Sequence, residues 1–147
     1  MAPDLTPEQT AFLRDNTYYG VVSTVRRDGS PHASIVWVDV DDDGKPGLNS
    51  NLDGAKAKHV ARDPRVTLIV FDPADAYHWV KVEGTAELVE EGADAQLDKL
   101  AKKYLGADTY PWRELGLRRG APAARLLGQG RLALSRRRSP PSRSAPA

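Results

Sequence analysis

Residues 49–71 read NSNLDGAKAKHVARDPRVTLIVF, and this stretch decides how the chain folds. A helix is expected to begin at Asp53, whose side chain suits an N-cap. It should stop at Asp63-Pro64, because proline pushes the residue before it out of the helical region. The apolar run VTLIVFDP (66–73) follows and reads as a strand buried on both faces. The helix has an unusual charge pattern. Lys56, Lys58 and His59 crowd its beginning, where aligned peptide dipoles already supply positive partial charge and acids are normally favoured. Cations in that place suit an anion, since backbone N–H groups, dipole and ammonium groups would converge on one phosphate. Asn49 and Ser50, at the end of the preceding strand, would add neutral donors. The plainer alternative is a solvated surface helix carrying two lysines.

Upstream, YYGVVSTVRRDGSPHASIVWVDVDDDGKPGLNSN (18–51) reads as three strands joined by turns at RDGS and DDDGK. Before it, TPEQTAFLRDN opens with a capping box, Thr6 as N-cap and Gln9 three residues on, with Pro7 at the first helical position. Downstream, YHWVKVEGTAELVEE (77–91) reads as a long strand with a bulge or bend at Gly84. GADAQLDKLAKKYLG (92–106) carries apolar residues at helical spacing and ends on Gly106 as a C-cap. Antiparallel strands, short hairpins and two or three peripheral helices make a mainly β, α+β chain built as a small barrel. Two weaker signals lead nowhere. Asp39, Asp41, Asp43 and Gly44 imitate the start of a calcium loop, but Ser50 stands where its bidentate Glu belongs and the flanks are strands. His32, His59 and His78 show no spacing that argues for haem ligation.

A chain of 147 residues supports one domain with a single core, and 40% hydrophobic with 28% charged residues is an ordinary globular balance. There is no cysteine, which excludes disulfides, thiolate metal sites and thiol nucleophiles. No apolar run approaches membrane-spanning length, and the polar start MAPDLTPEQ lacks the regions of a signal peptide. A cytoplasmic protein with no membrane partner is expected. Charge divides the chain unevenly. Residues 118–147 hold eight Arg and no acid, leaving 13 basic and 20 acidic residues in 1–117, a net of −7. The expected organisation is a folded domain over 1–117 and an Arg/Pro/Ser-rich tail over 118–147, with at least 135–147 disordered. The acidic body has no basic stripe for a phosphate backbone, so no nucleic-acid partner is expected.

Three stretches together resemble a known family: VVSTVRRDGSPHASIVWV, LNSNLDGAKAKHVARDPRVTLIV and YHWVKVEGTAELV. They are similar to the split-barrel flavin/deazaflavin oxidoreductases related to pyridoxamine 5′-phosphate oxidase, over about Phe12 to Trp112. The nearest likeness is to actinobacterial members that bind the deazaflavin coenzyme F420. That resemblance implies an FMN-binding-like split β-barrel, a homodimer with the cofactor cleft across two subunits, and hydride transfer to or from a small organic substrate. It carries Lys56 onto the cofactor phosphate most firmly, then Lys58, with Ser50 beside them. It places His32 and Ser34 along the cofactor ring, and Tyr77 and Trp79 on the cleft side of a long strand. Core or interface packing is the alternative for the two aromatics. Gly54 departs from the family, which often has a basic residue there. FMN is the rival cofactor, and a non-catalytic cofactor-binding protein is the rival of another class. No catalytic residue and no metal ligand is assigned. The family usually ends on one more alternating strand. GC-rich codons read one base out of frame produce text like that after Leu117, so the expectation is that a frame slip has replaced this strand.

Overall fold

The structure, a computed structural model, describes residues 5–50 and 54–111 together with the backbone of two strands at 123–127 and 132–136. Helix α1 (Pro7–Arg14) starts with the expected capping box. The Thr6 hydroxyl accepts from Gln9 N–H at 3.1 Å, and Gln9 Oε1 accepts from Thr6 N–H at 2.9 Å. The apolar side of α1 buries Phe12 and Leu13.

Strands β1 (Gly20–Val25) and β2 (Pro31–Val36) form the first hairpin, with Val25 opposite Pro31. Its loop closes through Arg26 N–H donating to the Ser30 carbonyl at 2.9 Å, and Gly29 takes the left-handed conformation that the turn demands. The next pair, β3 (Asp39–Val40) and β4 (Pro46–Asn49), is joined by the DDDGK segment. There Asp41 Oδ1 accepts from the N–H groups of Asp43 and Lys45, so this carboxylate shapes a turn.

Helix α2 (Ala55–Arg62) leads into β5 (Arg65–Asp72) and the long β6 (Asp75–Val89), and α3 (Ala93–Leu105) follows. Gly106 ends α3 in the left-handed conformation, as its sequence suggests. The last strands are β7 (Ala123–Leu127) and β8 (Leu132–Arg136). All pairs are antiparallel, and the sheet runs β2-β1-β5-β6-β7-β4-β3. It divides along β6. One edge of β6 pairs with β5; the other pairs with β8 over His78–Val82 and with β7 over Thr85–Val89. An α+β split barrel with three helices among the described residues results.

The inner face of the sheet carries the core: Val22, Val36, Leu68, Val70, Val80 and Val82, with Phe12 and Leu13 of α1 and Val60 of α2. Each such side chain stabilises the fold by about 1.5–3 kcal/mol on burial. One ammonium group closes the top of this core. Lys103 Nζ donates to the carbonyls of Leu13 at 2.6 Å and Val38 at 2.7 Å, joining α3, α1 and the β2–β3 link. Beside it the Tyr104 hydroxyl donates to Tyr18 O at 2.6 Å and accepts from Val38 N–H at 3.1 Å. Burial pushes that phenol up to about 12.

Four sequence expectations need correction. The helix is capped by Gly54 rather than Asp53, and among the described residues no side chain caps it. β5 is not buried on both faces: Val66, Leu68 and Val70 are inside, whereas Phe71 is exposed, because within one chain only the inner face is covered. Gly84 pairs in register with Val66, and the irregularity falls between Phe71 and Asp72 instead. Finally, the sheet does not end at residue 117. β7 lies between β6 and β4, and β8 borders β6, inside the segment read as a patternless tail. Residues 118–122, 128–131 and 137–147 lie outside the described residues, as does most of the stretch expected to be disordered.

Candidate functional site

The site grows from α2 and the strands beneath it. Ala57 and Val60 bury one side of the helix, and α2 packs on β1 and β6. With these two inside, Lys56 and Lys58 flank the buried side near the N-terminus, and His59 faces β1. The His59 Nδ1 lies 2.8 Å from Thr24 Oγ1, and Thr24 is almost completely buried. Arg62 Nη2 donates to the Val25 carbonyl at 2.7 Å. These two contacts seat the helix on the first strand. Its exit is fixed by Asp63, whose carboxylate is bound by Arg65 at 2.7 Å and thereby held down at about 2.

His32 and Ser34 point to the inner face of β2, opposite Thr24 and Val22. The His32 ring meets the His59 ring edge-on, with centroids 5.1 Å apart. Burial holds the His59 imidazole below its ordinary proton affinity, and the charges of His32, Arg62 and Arg26 push the same way. His32 Nδ1 and Ser34 Oγ are buried with no hydrogen-bond partner among the described residues. Two such atoms side by side on one strand face are suited to a polar ligand edge or to water, since an unmatched buried donor or acceptor is costly.

Ser50, just beyond β4, is buried, and Lys56 is the second residue of α2; residues 51–53 between them are outside the described set. Asn49 also holds the fold together, while its Oδ1 is buried with no hydrogen-bond partner among the described residues. Its Nδ2 donates to the Ala93 carbonyl at 3.1 Å and to Gln96 Oε1 at 3.2 Å, which ties β4 to α3. Tyr77 and Trp79 lie on the outer face of β6, away from His32 and Ser34. Trp79 is opposite Phe71 and has Lys81 Nζ 5.8 Å from its ring. Thus Lys56, Lys58, His32 and Ser34 belong to α2 and the inner face below it, and the two aromatics belong to the other side of the sheet.

The reading of the sequence passed over Arg27 and Arg62. With Lys58 and His59 they line a cavity of about 710 Å³ between the β1–β2 turn and the outer side of α2. Residues 55, 58, 59 and 62 form one stripe on a helix, which was a usable signal. Arg27 joins them only through the fold.

A family model described as pyridoxamine 5′-phosphate oxidase matches residues 5–128. The chain belongs to that family. Solved structures agree. One named an F420 reductase is 26% identical, with 82% of this chain and 93% of that one covered and a TM-score of 0.66. A conserved hypothetical protein from Mycobacterium tuberculosis is also 26% identical, covering 90% and 82% with a TM-score of 0.65. The haem storage protein HutZ of Vibrio cholerae shares the fold at 16% identity, covering 90% and 96% with a TM-score of 0.65. No functionally curated protein matches. Among the described residues no helix is long and apolar enough to cross a membrane.

Proposed function

We propose that this member of the family is an oxidoreductase using the deazaflavin F420 for hydride transfer to or from a small, conjugated or aromatic organic substrate. The observation that carries the reading is the start of α2. Lys56 and Lys58 stand on the first turns of a helix that has no side-chain cap among the described residues, and Ser50 just beyond β4 is buried; two cations at a helix start suit a phosphate. His32 Nδ1 and Ser34 Oγ fit the polar edge of the ring. The 26% identical F420 reductase favours F420 over FMN. When bound, the cofactor supplies the hydride chemistry, and the chain supplies position, charge and exclusion of water.

A homodimer belongs to the same proposal. The outer face of β1, β2, β5 and β6 leaves Tyr19, Ile35, Phe71 and Tyr77 exposed, Ile35 by 73%. Apolar side chains gathered on one sheet face call for a cover, and a second copy would also bring Trp79 into the cleft. Sedimentation at micromolar concentration checks this, and a monomer rejects it.

Parallel titrations of one purified sample test the cofactor. Quenching of F420 fluorescence, with no flavin spectrum on adding FMN, is the expected result; an FMN spectrum favours the rival cofactor. Lys56→Ala should weaken whichever cofactor binds by more than about tenfold, and an unchanged affinity removes the phosphate site. Binding without turnover on nitro, enone and quinone compounds would leave a non-catalytic carrier.

A further inference from the structure

Two of the chain's three histidines meet at one point of the fold. Thr24 and His32 are direct partners across the β1–β2 pair, and His59 reaches both from α2. Its Nδ1 lies 2.8 Å from Thr24 Oγ1, and its ring stands edge-on to that of His32, with centroids 5.1 Å apart and planes at 75°. A hydroxyl can donate to a neutral imidazole nitrogen or accept from a protonated one. The contact with Thr24 therefore holds in either state of His59. Protonation changes the charge at this point without unseating the helix.

The charges around His59 are of one sign. His32 faces it from β2, Arg26 and Arg27 stand in the β1–β2 turn, and Lys58 and Arg62 share its helix. Asp28 and Asp63, the acids next in the chain to Arg27 and Arg62, are engaged elsewhere: Asp28 accepts from the Ser30 hydroxyl at 2.6 Å, and Asp63 from Arg65 at 2.7 Å. β6, the other strand against which α2 packs, buries the apolar Val80, Val82 and Ala86, and its Lys81 and Glu83 pair with each other at 3.0 Å. Two imidazoles this close, in cationic surroundings, resist carrying two protons at once. His32 Nδ1 is also buried with no hydrogen-bond partner among the described residues, so one nitrogen of the pair is left to meet a ligand.

We propose that His32 and His59 are a proton-linked pair: binding of an anionic cofactor between α2 and the inner face of β2 draws one proton from solvent onto the pair, so the site holds its ligand more tightly as pH falls. This rests on the reading that F420 or FMN occupies that site. A negative charge there offsets the repulsion from His32, Arg26 and Arg62 that keeps His59 neutral in the free protein. By linkage, one fully coupled proton raises affinity by up to about tenfold for each unit that pH falls. His59 is thus a positioning residue, acting on the ligand through His32.

Calorimetric titrations of the full chain with F420, and with FMN in parallel, from about pH 8 to about pH 5.5 test the proposal. Over this range the affinity of the parent should rise by about threefold or more relative to that of His59→Asn. Asparagine can still hydrogen-bond toward Thr24 but cannot ionise. The ligand's own titration is common to both proteins, so the difference in slope belongs to His59. His78→Asn, which alters the third histidine beside Asp72, should keep the parent's slope. Near about pH 6.5, heats measured in two buffers of unlike ionisation enthalpy should show proton uptake in the parent and less in His59→Asn. A check without ligand comes from imidazole NMR resonances: His59 should titrate at higher pH in His32→Asn, because a repelling neighbour is gone. An unmoved His59, or equal pH slopes in the parent and His59→Asn, overturns the proposal. Failure of both F420 and FMN to bind at any pH rejects the functional reading above, and the linkage with it.

Discussion

His59 illustrates how a single residue can be visible in a sequence and yet unreadable there. Its place in a cationic helix start is local information, but its partners Thr24 and His32 come from strands 35 and 27 residues earlier and are known only once register is set. Lys56 and Lys58 were legible for the opposite reason, because helix polarity depends on near neighbours alone. The contacts of Asn49 Nδ2 with Ala93 and Gln96 could not be foreseen, because nothing local reveals α3 lying across it. The half-buried seat of His59 has a consequence for pH. Its folded proton affinity is lower than the ordinary 6.5, chiefly through burial and then through His32, Arg62 and Arg26. Well above that value His59 is neutral in both folded and unfolded chains and contributes no pH dependence. As pH falls through it, the unfolded chain takes up a proton that the folded protein resists, so stability declines. Thermal melts from about pH 7.5 down to about pH 5 should show a smaller decline in His59→Asn than in the parent. Equal slopes would remove His59 as the source.

At the level of elements, the capping box of α1, the C-cap of α3 and both hairpin turns were legible, since each is set by residues within one turn of chain. The two-sided burial expected of β5 was not. An apolar run states that both faces tolerate apolar surroundings, not that one chain supplies them. Close packing between elements is equally invisible to pattern, as Gly20 shows. A Cβ placed there would lie 3.0 Å from both Leu68 Cδ1 and Val38 Cγ2, and 3.1 Å from Val70 Cγ2. A larger residue at this point of β1 would therefore require the Leu68, Val38 and Val70 side chains to give by a few tenths of an ångström. Gly20→Ala should cost about 1–3 kcal/mol through crowding, read as a lower denaturant midpoint with an unchanged m-value. A neutral result would mean that these three side chains can move aside.

Across the whole molecule, the feature that the sequence hid best is the pairing of its last strands. Arg, Ala and Gly in 118–136 carry little alternation, so neither β7 nor β8 announces itself. Yet β7 is the strand that links β6 to β4 in the sheet. A chain stopped after Leu117 should leave β3 and β4 without that link and expose an edge of β6. Urea denaturation should then show a lower midpoint and a shallower transition; a truncated chain matching the parent would show β7 to be dispensable. Lys103 adds a different kind of dependence, one of timing. Its ammonium reaches carbonyls 90 and 65 residues earlier in the chain. During synthesis Leu13 and Val38 leave the ribosome before their shared donor exists, so the full seating of α1 on the first hairpin is expected only once α3 has been made. The arrival of α3 locks the oldest part of the nascent chain, making one late lysine the last fastening of the first-made segment.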